Sequence, residues 1–585
     1  MKNQELASIF SAMAAYLEMD EIPFKPQAYE KAALILENLP VDVEEIYKRE
    51  GEKGLQKIPG IGKRIANKIV EYLRTGKIKE YEKMRKKVPV KINELMKVEG
   101  LGPKMIKELY QHLKITNLEQ LEKAAQEGKI RNLPRFGLKT EQNILQGIQF
   151  VKRSRGRFLL SEALPLAEEI IASLKKLPQI DKIVMAGSLR RRKETIGDID
   201  LLATIKPDYP QGAKKVMDTF VNLPGIIKVW DYGLTKSSVR FKKKIDVDLR
   251  VVKADEFGSA LQYFTGSKEH NIATRKIAIS KGLKLNEYGV FRKIRGKWKK
   301  IAGATEEEVY QAIGLPYIEP ELRTNRGEIE AALQGKLPRI IKYNEIRGDL
   351  HNHSSWDGGK NSIREMAEAA RLMGYEYIGI TDHTKFLRIE HGLDEKQLLD
   401  QHKEIEKLNA EFKKQKINFR ILHGCEANIL NDGSLDIEDK VLAQLDYVIA
   451  GVHSRFKMKK EEMTQRIIRA IKNPYVKIIS HPTGRLINRR DAYPLDIDKI
   501  LNAALETNTA LEINACPERL DLNDINIRKA VEKGVKLAID TDSHEKTHLQ
   551  YIHYGIAQAR RGWATPKDII NSWPLPKLLR FFQKK

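Results

Sequence analysis

Cysteine is nearly absent. Cys425 and Cys516 are the only two in 585 residues, which excludes a disulfide framework and zinc sites built on cysteine clusters. No apolar run approaches the roughly 20 residues needed to cross a bilayer. The opening segment Met1–Met19 is amphipathic and meets Asp20 and Glu21 with no small-residue cleavage site, so it reads as a helix rather than a secretory leader. Acid is scarce relative to base. The formal net charge is +25, and because residues 336–585 hold 42 basic and 35 acidic side chains, most of the excess lies in residues 1–335. A positive field on one half of a chain favours a polyanionic partner, most often nucleic acid. With 41% hydrophobic and 31% charged residues the chain can bury real cores. At roughly 150 residues per domain it has material for three or four domains. The composition predicts an intracellular, soluble, multidomain protein.

Residues 1–150 place apolar side chains three and four apart with short Gly or Pro breaks, the period of helices. They also repeat. Leu55-Gln-Lys-Ile-Pro-Gly-Ile-Gly-Lys-Arg-Ile-Ala returns as Leu95-Met-Lys-Val-Glu-Gly-Leu-Gly-Pro-Lys-Met-Ile, and in degenerate form as Leu133-Pro-Arg-Phe-Gly-Leu-Lys-Thr-Glu-Gln-Asn-Ile. From about 155 to 255 the pattern is mixed, with β-type runs at Ile183–Ala186, Asp200–Ile205 and Ile245–Val252. Residues 256–315 form a small mixed unit. Pro316–Pro338 reads as a linker with one helix, Arg326–Leu333. Beyond it, seven short apolar runs predict strands: Ile346–Leu350, Tyr377–Thr381, Phe419–His423, Tyr447–Val452, Val476–Ser480, Leu511–Asn514 and Leu537–Asp540. Helical pattern separates most of them, which predicts a barrel-like parallel sheet of βα units.

In the first two repeats, Gly60 and Gly62, then Gly100 and Gly102, sit two apart between helical segments. Glycine allows the tight turn and leaves amide groups uncovered at a helix N-terminus, where phosphate binds. Lys63, Arg64 and Lys104 add charge without reading base sequence. One copy could be an ordinary helical hairpin. Two copies with basic followers favour phosphate gripping and resemble helix-hairpin-helix motifs, which hold DNA backbone.

The middle of the chain carries Gly187-Ser188-Leu189-Arg190-Arg191, followed by Gly197-Asp198-Ile199-Asp200. Asp198 and Asp200 alternate on a strand and so share a face. Asp248 lies in a second alternating run, Asp246-Val247-Asp248. Clustered carboxylates are costly unless a hard cation neutralises them. Three of them can hold two divalent ions about 4 Å apart, one beside an attacking 3′-hydroxyl and the other at a departing pyrophosphate. Gly187 and Ser188 can approach phosphate oxygens, and Arg191 can neutralise them bidentately.

These residues resemble the nucleotidyltransferase signature. Tyr263-Phe264-Thr265-Gly266-Ser267 and Asn286-Glu287-Tyr288-Gly289 are similar to the thumb of family X DNA polymerases, the group that contains DNA polymerase beta. The resemblance implies that Asp198, Asp200 and Asp248 are a catalytic metal-binding triad for Mg²⁺ or Mn²⁺. Asp246 shares their side of the sheet as a secondary acid. Gly187, Ser188, Arg191 and Arg157 would contact the incoming triphosphate, Tyr263 and Phe264 its sugar, and Asn271 and Arg275 the nascent base pair, with Gly266 also among the dNTP-binding residues. Read from composition alone, Tyr263 and Phe264 could instead be thumb core. Lys68, after the first hairpin, stands where some family members form a Schiff base with an abasic-site sugar. It could equally be one more phosphate-facing lysine.

Of 13 histidines, 11 fall between residues 351 and 553. They and several acids follow the predicted strands: His351, His353 and Asp357 after the first, His383 after the second, Glu426 after the third, His453 after the fourth, His481 after the fifth, Asp542 and His544 after the seventh. In a βα barrel such positions converge at one mouth. Imidazole with carboxylate suits Zn²⁺, Mn²⁺ or Fe²⁺, and nine such residues exceed one ion's needs, which predicts two or three ions that could activate water against a phosphoester. This half resembles the PHP phosphoesterase family. The resemblance implies one ion on His351, His353, Glu426 and Asp542, a second on Glu426, His453 and His481, and a third on Asp357, His383 and His544. His391 could assist or pack, and Arg485 could hold a substrate phosphate or lie at the surface. His402, His423, His548 and His553 read as structural.

The resemblance thus implies a multidomain fold: helical N-terminal helix-hairpin-helix domains (1–80 and 81–153), an α+β nucleotidyltransferase palm (154–255) and thumb (256–315), a linker (316–340), and a C-terminal distorted (βα)7 barrel (341–585). It implies a DNA polymerase that fills short gaps with dNTPs during base-excision repair. The barrel would add a 3′-5′ exonuclease, abasic-site endonuclease or 3′-phosphatase. The partners are gapped or nicked DNA and dNTP, with no membrane, for a monomer in the cytoplasm at the nucleoid. Two other classes stay open here: a template-independent nucleotidyltransferase joined to a small-molecule phosphatase, and a non-catalytic DNA-binding scaffold.

Overall fold

Where the sequence repeats itself, so does the backbone. In the computed structural model, which describes residues 2–38, 42–58, 60–98, 100–154 and 156–583, each repeat turns on the same two bonds. Ile61 N–H donates to the Ile58 carbonyl and Ala66 N–H to Gly62; Leu101 pairs with Val98 and Ile106 with Gly102; Phe136 pairs with Leu133 and Glu141 with Gly137. The residue before each first donor is left-handed: Gly60 at φ 85°, Gly100 at 82° and Arg135 at 66°. That shared demand explains the glycines, and the third copy meets it with an arginine. The helices that follow are Lys63–Thr75, Pro103–Leu113 and Leu138–Ser154. Pro59 and Glu99, which precede Gly60 and Gly100 in the repeats, lie outside the described residues.

The chain divides into two compact units, Met1–Arg155 with Asn488–Arg490, and Gly156–Ile487 with Asp491–Lys585. The first is helical, with one apolar cluster around Leu6, Phe10 and Ile69 and a second around Leu95, Leu109 and Ile148. No helix among the described residues is long and apolar enough to cross a membrane.

The second unit opens with a five-stranded sheet in the order Ile180–Met185, Asp198–Ile205, Asp246–Val252, Lys236–Phe241, Ile226–Tyr232. The sequence pattern missed the last two strands for different reasons: the edge strand faces solvent, with Ile227, Val229, Trp230 and Tyr232 all exposed, while Lys236–Phe241 is mostly buried but polar in sequence. The strand that begins at Asp198 is the parallel neighbour of Asp246–Val252. Ile199, Leu201 and Ala203 point into one apolar cluster, while Leu202 enters another with Ala186, Phe257 and Leu261. Both faces are therefore covered from Leu201 onward, and only the acidic start of the strand stays open to a substrate.

Two helices (Phe257–Thr265, Lys268–Ser280), a three-stranded antiparallel meander and the helix Glu306–Ala312 follow. The Pro-punctuated stretch after them is packed rather than a free tether. Ile318, Leu322, Ile329 and Ala332 join the thumb core, and Arg323 is fully buried on Glu306. Its helix is Glu328–Leu333, shorter than the pattern predicts, because the Glu328 carboxylate accepts from the amides of Asn325 and Arg326 and turns them into the capping loop.

The C-terminal region is a parallel barrel. Among the described residues its strands are Gly348–Asp349, Tyr377–Ile380, Arg420–His423 continuing as Glu426–Asn428, Val448–Gly451, Val476–Ile479, Ala510–Asn514 and Leu537–Asp540. These coincide with the seven apolar runs. Parallel bridges His383–Glu426 and Asn352–Ser543 join the strands at the break in the sheet and at its closure. Every strand is buried on both faces, as a helix-wrapped parallel sheet requires.

Candidate active sites

The first site is built by register. Across the parallel strands Asp198 lies beside Asp246 and Asp200 beside Asp248. The turn behind them carries Gly187 at φ 59°, and a Cβ there would overlap the Asp200 carboxylate, so only glycine fits. Ala186 N–H donates to the Asp200 carbonyl at 2.8 Å and locks that approach. Burial, then repulsion from Asp198 and Asp248, pushes the Asp200 carboxyl up to about 6, and burial with Asp248 raises Asp198. Carboxylates raised by one another are groups that a divalent cation would bring back down. Asp246 departs from this set: Arg240 grips it bidentately at 2.7 Å and Trp230 Nε1 donates at 3.0 Å, so its charge is already answered. Sequence reading missed Lys236, whose Nζ lies 2.8 Å from Asp248; it sits in one of the strands the pattern did not show.

Of the residues expected around a triphosphate, Arg191 reaches the thumb. Arg191 is nearly buried, and its guanidinium donates to the Thr265 carbonyl, beside Gly266 at φ 68°. Its Nε is buried with no hydrogen-bond partner. Burial, then the nearby Arg561, lowers its pKa to about 10. Ser188 lies in the four-residue helix Gly187–Arg190. Arg157 instead bonds the Thr195 side chain and carbonyl, which makes it a brace of the loop rather than an open guanidinium. Tyr263 and Phe264 are half-buried and edge-to-face at 5.1 Å, under Arg275 (5.9 Å) and Arg250 (4.4 Å) respectively. Asn271 donates to the Tyr263 carbonyl at 2.7 Å. Cavities of about 620 and 580 Å³ open here, one lined by Arg250 and Phe264, the other by Tyr263 and Arg275; the aspartates line neither.

In the N-terminal unit Gly62 and Gly102 are the residues before helices Lys63–Thr75 and Pro103–Leu113, each without a side-chain cap. The first-turn amides, from Lys63 in one helix and from Lys104 in the other because Pro103 has no N–H, therefore lack an internal acceptor. Lys63 and Arg64 are exposed. Lys104 is also exposed but pairs with Glu21 at 2.7 Å. Lys68 is mostly covered, and its ammonium pairs with Glu80.

The barrel site is buried and interleaved. Glu426 Oε2 faces His351 Nε2 (3.4 Å), His353 Nε2 (3.9 Å) and His383 Nδ1 (2.9 Å), while Oε1 faces His453 Nε2 (3.3 Å) and His481 Nε2 (3.0 Å). Asp542 Oδ1 lies 3.3 Å from His353 and 3.8 Å from His351. Four groups bring ligand atoms within 4.8 Å of one another: His353, His383 and His544; His351, His353 and Glu426; His383, Glu426 and His453; His353, Asp357 and Asp382. Asp357, expected with His383 and His544, turns to His353 Nδ1 (2.7 Å) and the His383 amide (2.9 Å), which satisfy a carboxylate that burial would otherwise penalise.

The donor set fits divalent ions. Glu426 Oε2, His383 Nδ1 and His453 Nε2 are buried with no hydrogen-bond partner, a costly arrangement that ligation would relieve. Burial, then the charge of Arg519, lowers His481 to about 4; burial, then His353, does the same to His544, and both rings are neutral as ligands must be. Against burial, Asp357 holds His353 up at about 10, a proton that a binding ion would displace. His481 (φ 26°) and Asp542 (φ 54°) are left-handed without being glycine, local strain at the residues that aim inward.

Sequence reading assigned nothing to the sixth strand, yet its Glu512 accepts from His351 Nδ1 at 2.6 Å and Asn514 donates to Asp542 Oδ2 at 3.1 Å. The signal was polar alternation inside an apolar run, Leu511-Glu-Ile-Asn514. Arg519 Nε, 3.6 Å from Asp542, was also missed. Arg485 is not in this site; it forms a two-pronged pair with Glu194 of the palm at 3.2 and 2.7 Å. His391 is exposed and outside the cluster, and His402 and His423 contact each other away from it.

Comparison with known proteins follows the same order along the chain. A helix-hairpin-helix domain model matches residues 1–78 and a SAM-like helix-hairpin-helix tandem matches 92–149. A DNA polymerase beta thumb model matches 260–324 and a PHP domain model 349–516. Over 587 aligned residues, 100% of both chains, the sequence is 40% identical to DNA polymerase/3′-5′ exonuclease PolX of Bacillus subtilis. Its C-terminal 40% is 30% identical to a probable phosphatase of Thermoanaerobacter pseudethanolicus, covering 94% of that protein. Aligned end to end with that polymerase, and with thumb and PHP regions in the places its own geometry marks, the chain belongs to the family X DNA polymerases that carry a C-terminal PHP domain.

Proposed function

We propose that residues 154–315 extend DNA primers with dNTPs and that residues 341–585 hydrolyse DNA phosphoesters from the 3′ end, both on gapped or nicked duplex gripped by the hairpins of 1–80 and 81–153. The observation that carries the first activity is Asp200 facing Asp248 across parallel strands, directly against Gly187. Asp198, Asp200 and Asp248 would hold Mg²⁺ or Mn²⁺. Such ions supply charge stabilisation at the reacting phosphorus. Gly187 leaves room for phosphate oxygens, Ser188 and Arg191 meet them, and Tyr263, Phe264, Gly266, Asn271 and Arg275 enclose sugar and base. Gly60, Gly62, Lys63, Arg64, Gly100, Gly102 and Lys104 hold backbone phosphates.

In the barrel, Glu426 stands between two histidine sets and would be shared by two ions: one with His351, His353 and Asp542, the other with His453 and His481. His383 and His544 flank His353 for a third, with Asp357 orienting it. Zn²⁺, Mn²⁺ or Fe²⁺ suits this donor set. Arg519 places a cation beside Asp542 where a scissile phosphate would lie. All the residues assigned to each site come from one copy of the chain, which supports a monomer, and a DNA substrate would place it in the cytoplasm at the nucleoid.

Asp198→Ala is expected to abolish primer extension with Mg²⁺ or Mn²⁺; full retention overturns the first assignment. His351→Ala and His481→Ala are expected to abolish Mn²⁺-dependent nuclease activity, and unchanged hydrolysis overturns the second. The likeness of the barrel to a probable phosphatase favours a second reading there, removal of 3′-phosphates. Gapped duplexes ending in 3′-hydroxyl or 3′-phosphate separate the two. Lys68 is proposed as an abasic-site nucleophile that Glu80 must first release; borohydride trapping of a covalent DNA adduct, lost in Lys68→Ala, tests it.

A further inference from the structure

The loop that follows Gly187 is clamped by the barrel. Glu194 receives Arg485 through both terminal nitrogens (3.2 and 2.7 Å) and Gln558 Nε2 at 3.0 Å. Arg485 also donates to the Leu520 carbonyl. Three residues earlier, the Arg191 carbonyl accepts from Arg561 at 3.1 Å, while Arg561 holds Asp524 at 2.5 Å with its other terminal nitrogen. Arg561 is nearly buried, and it repels the Arg191 guanidinium. Stability alone does not favour a second buried cation beside the first. The thumb binds the same loop as well: Arg190 meets Thr265 (2.7 Å) and Glu306, and Arg191 meets the Thr265 carbonyl.

We propose that Arg561 and Arg485 are positioning residues for nucleotide binding: the barrel, besides its own chemistry, holds residues 187–194 in the shape that grips the triphosphate. The inference rests on reading Arg191 as a triphosphate contact. Without the clamp, Leu189 in the palm core and the thumb contacts would still seat the helix Gly187–Arg190, but residues 191–194 would lose their ties to the barrel and the Arg191 guanidinium would sample orientations that do not meet phosphate. Affinity for dNTP, rather than the chemical step, should then suffer.

The test is steady-state single-nucleotide insertion by the full chain. Arg561→Met, Arg485→Glu and Glu194→Arg are each expected to raise the KM for dNTP about tenfold, with kcat and Mn²⁺-dependent nuclease activity within twofold of the parent. Combining Arg485→Glu with Glu194→Arg re-forms the pair with reversed charges and should bring KM back toward the parent value. If these variants leave KM unmoved while Arg191→Ala raises it, the clamp is wrong and the grip stands. If Arg191→Ala also leaves KM unmoved, the grip itself is wrong. Parallel loss of both activities, or no recovery in the double variant, assigns these arginines to folding alone and overturns the proposal.

Discussion

The two candidate sites gather carboxylates in opposite ways. In the palm three like charges are set side by side at the open end of a strand pair, and the discomfort shows in Asp200, raised to about 6. In the barrel Glu426 and Asp542 are interleaved with imidazoles, and those neighbours, against burial, hold both carboxyls well below the usual range. An all-oxygen site at the end of a strand pair suits a hard ion that arrives with substrate and leaves with product. A buried nitrogen-and-oxygen site is a resident site for a borderline metal. On the proposed reading, the palm would be completed by ions that come with its substrates, whereas the barrel would keep its metal between turnovers.

The contrast can be broken most severely at Glu426. Glu426→Gln removes the one carboxylate between both histidine sets, so nuclease activity should fall by about a thousandfold or more, in line with losing a shared bridging ligand. Mass spectrometry of the purified chain should show transition metal in the parent and its loss in the variant; equal metal content would break the distinction.

A second prediction concerns the ion pairs that tie thumb to palm. Against the penalty of burial, the charges of Arg323 and Arg190 hold the Glu306 carboxyl down at about 2. A carboxyl depressed from 4.5 contributes stability that is present above pH 4.5 and is lost as pH falls toward about 2. Glu306→Gln leaves Arg323 buried without its counter-charge, which costs about 3 kcal/mol. Thermal unfolding at pH 7 should reveal that loss, and the variant's stability should change less than the parent's between pH 5 and pH 3. A parallel decline of both would contradict it.

The smallest effect belongs to the hairpins, where phosphate contacts are many and each is weak. Lys104→Ala should weaken binding to duplexes of any sequence and reduce the slope of log affinity against log salt by about one, read by fluorescence anisotropy. A sequence-dependent loss would mean that Lys104 reads bases.

Much of this was legible before any coordinates. Strand alternation placed Asp198 and Asp200 on one face, and the seven apolar runs gave the barrel strands with their histidines at one end. What escaped had a physical reason. The strand that bears Lys236 reads Lys-Ser-Ser-Val-Arg-Phe, so although much of it is buried it shows no apolar run. Glu512 and Asn514 were hidden in a strand whose hydrophobicity overshadowed them. Arg485 follows His481 closely enough to suggest a phosphate contact, but pairing with Glu194, 291 residues away, is a tertiary event that no local pattern announces. Asp246 shares the alternation of Asp248 and is separated from it only by Arg240 and Trp230.

The central claim, two independent metal-dependent centres in one chain, is tested most directly in a single tube. A one-nucleotide-gapped duplex labelled on the primer is incubated with parent, Asp200→Asn or Glu426→Gln chain, with Mn²⁺ and with or without dNTPs. The account predicts that Asp200→Asn still shortens the primer but never lengthens it, and that Glu426→Gln lengthens it but never shortens it. Loss of both reactions in either folded variant, or survival of both, would contradict it.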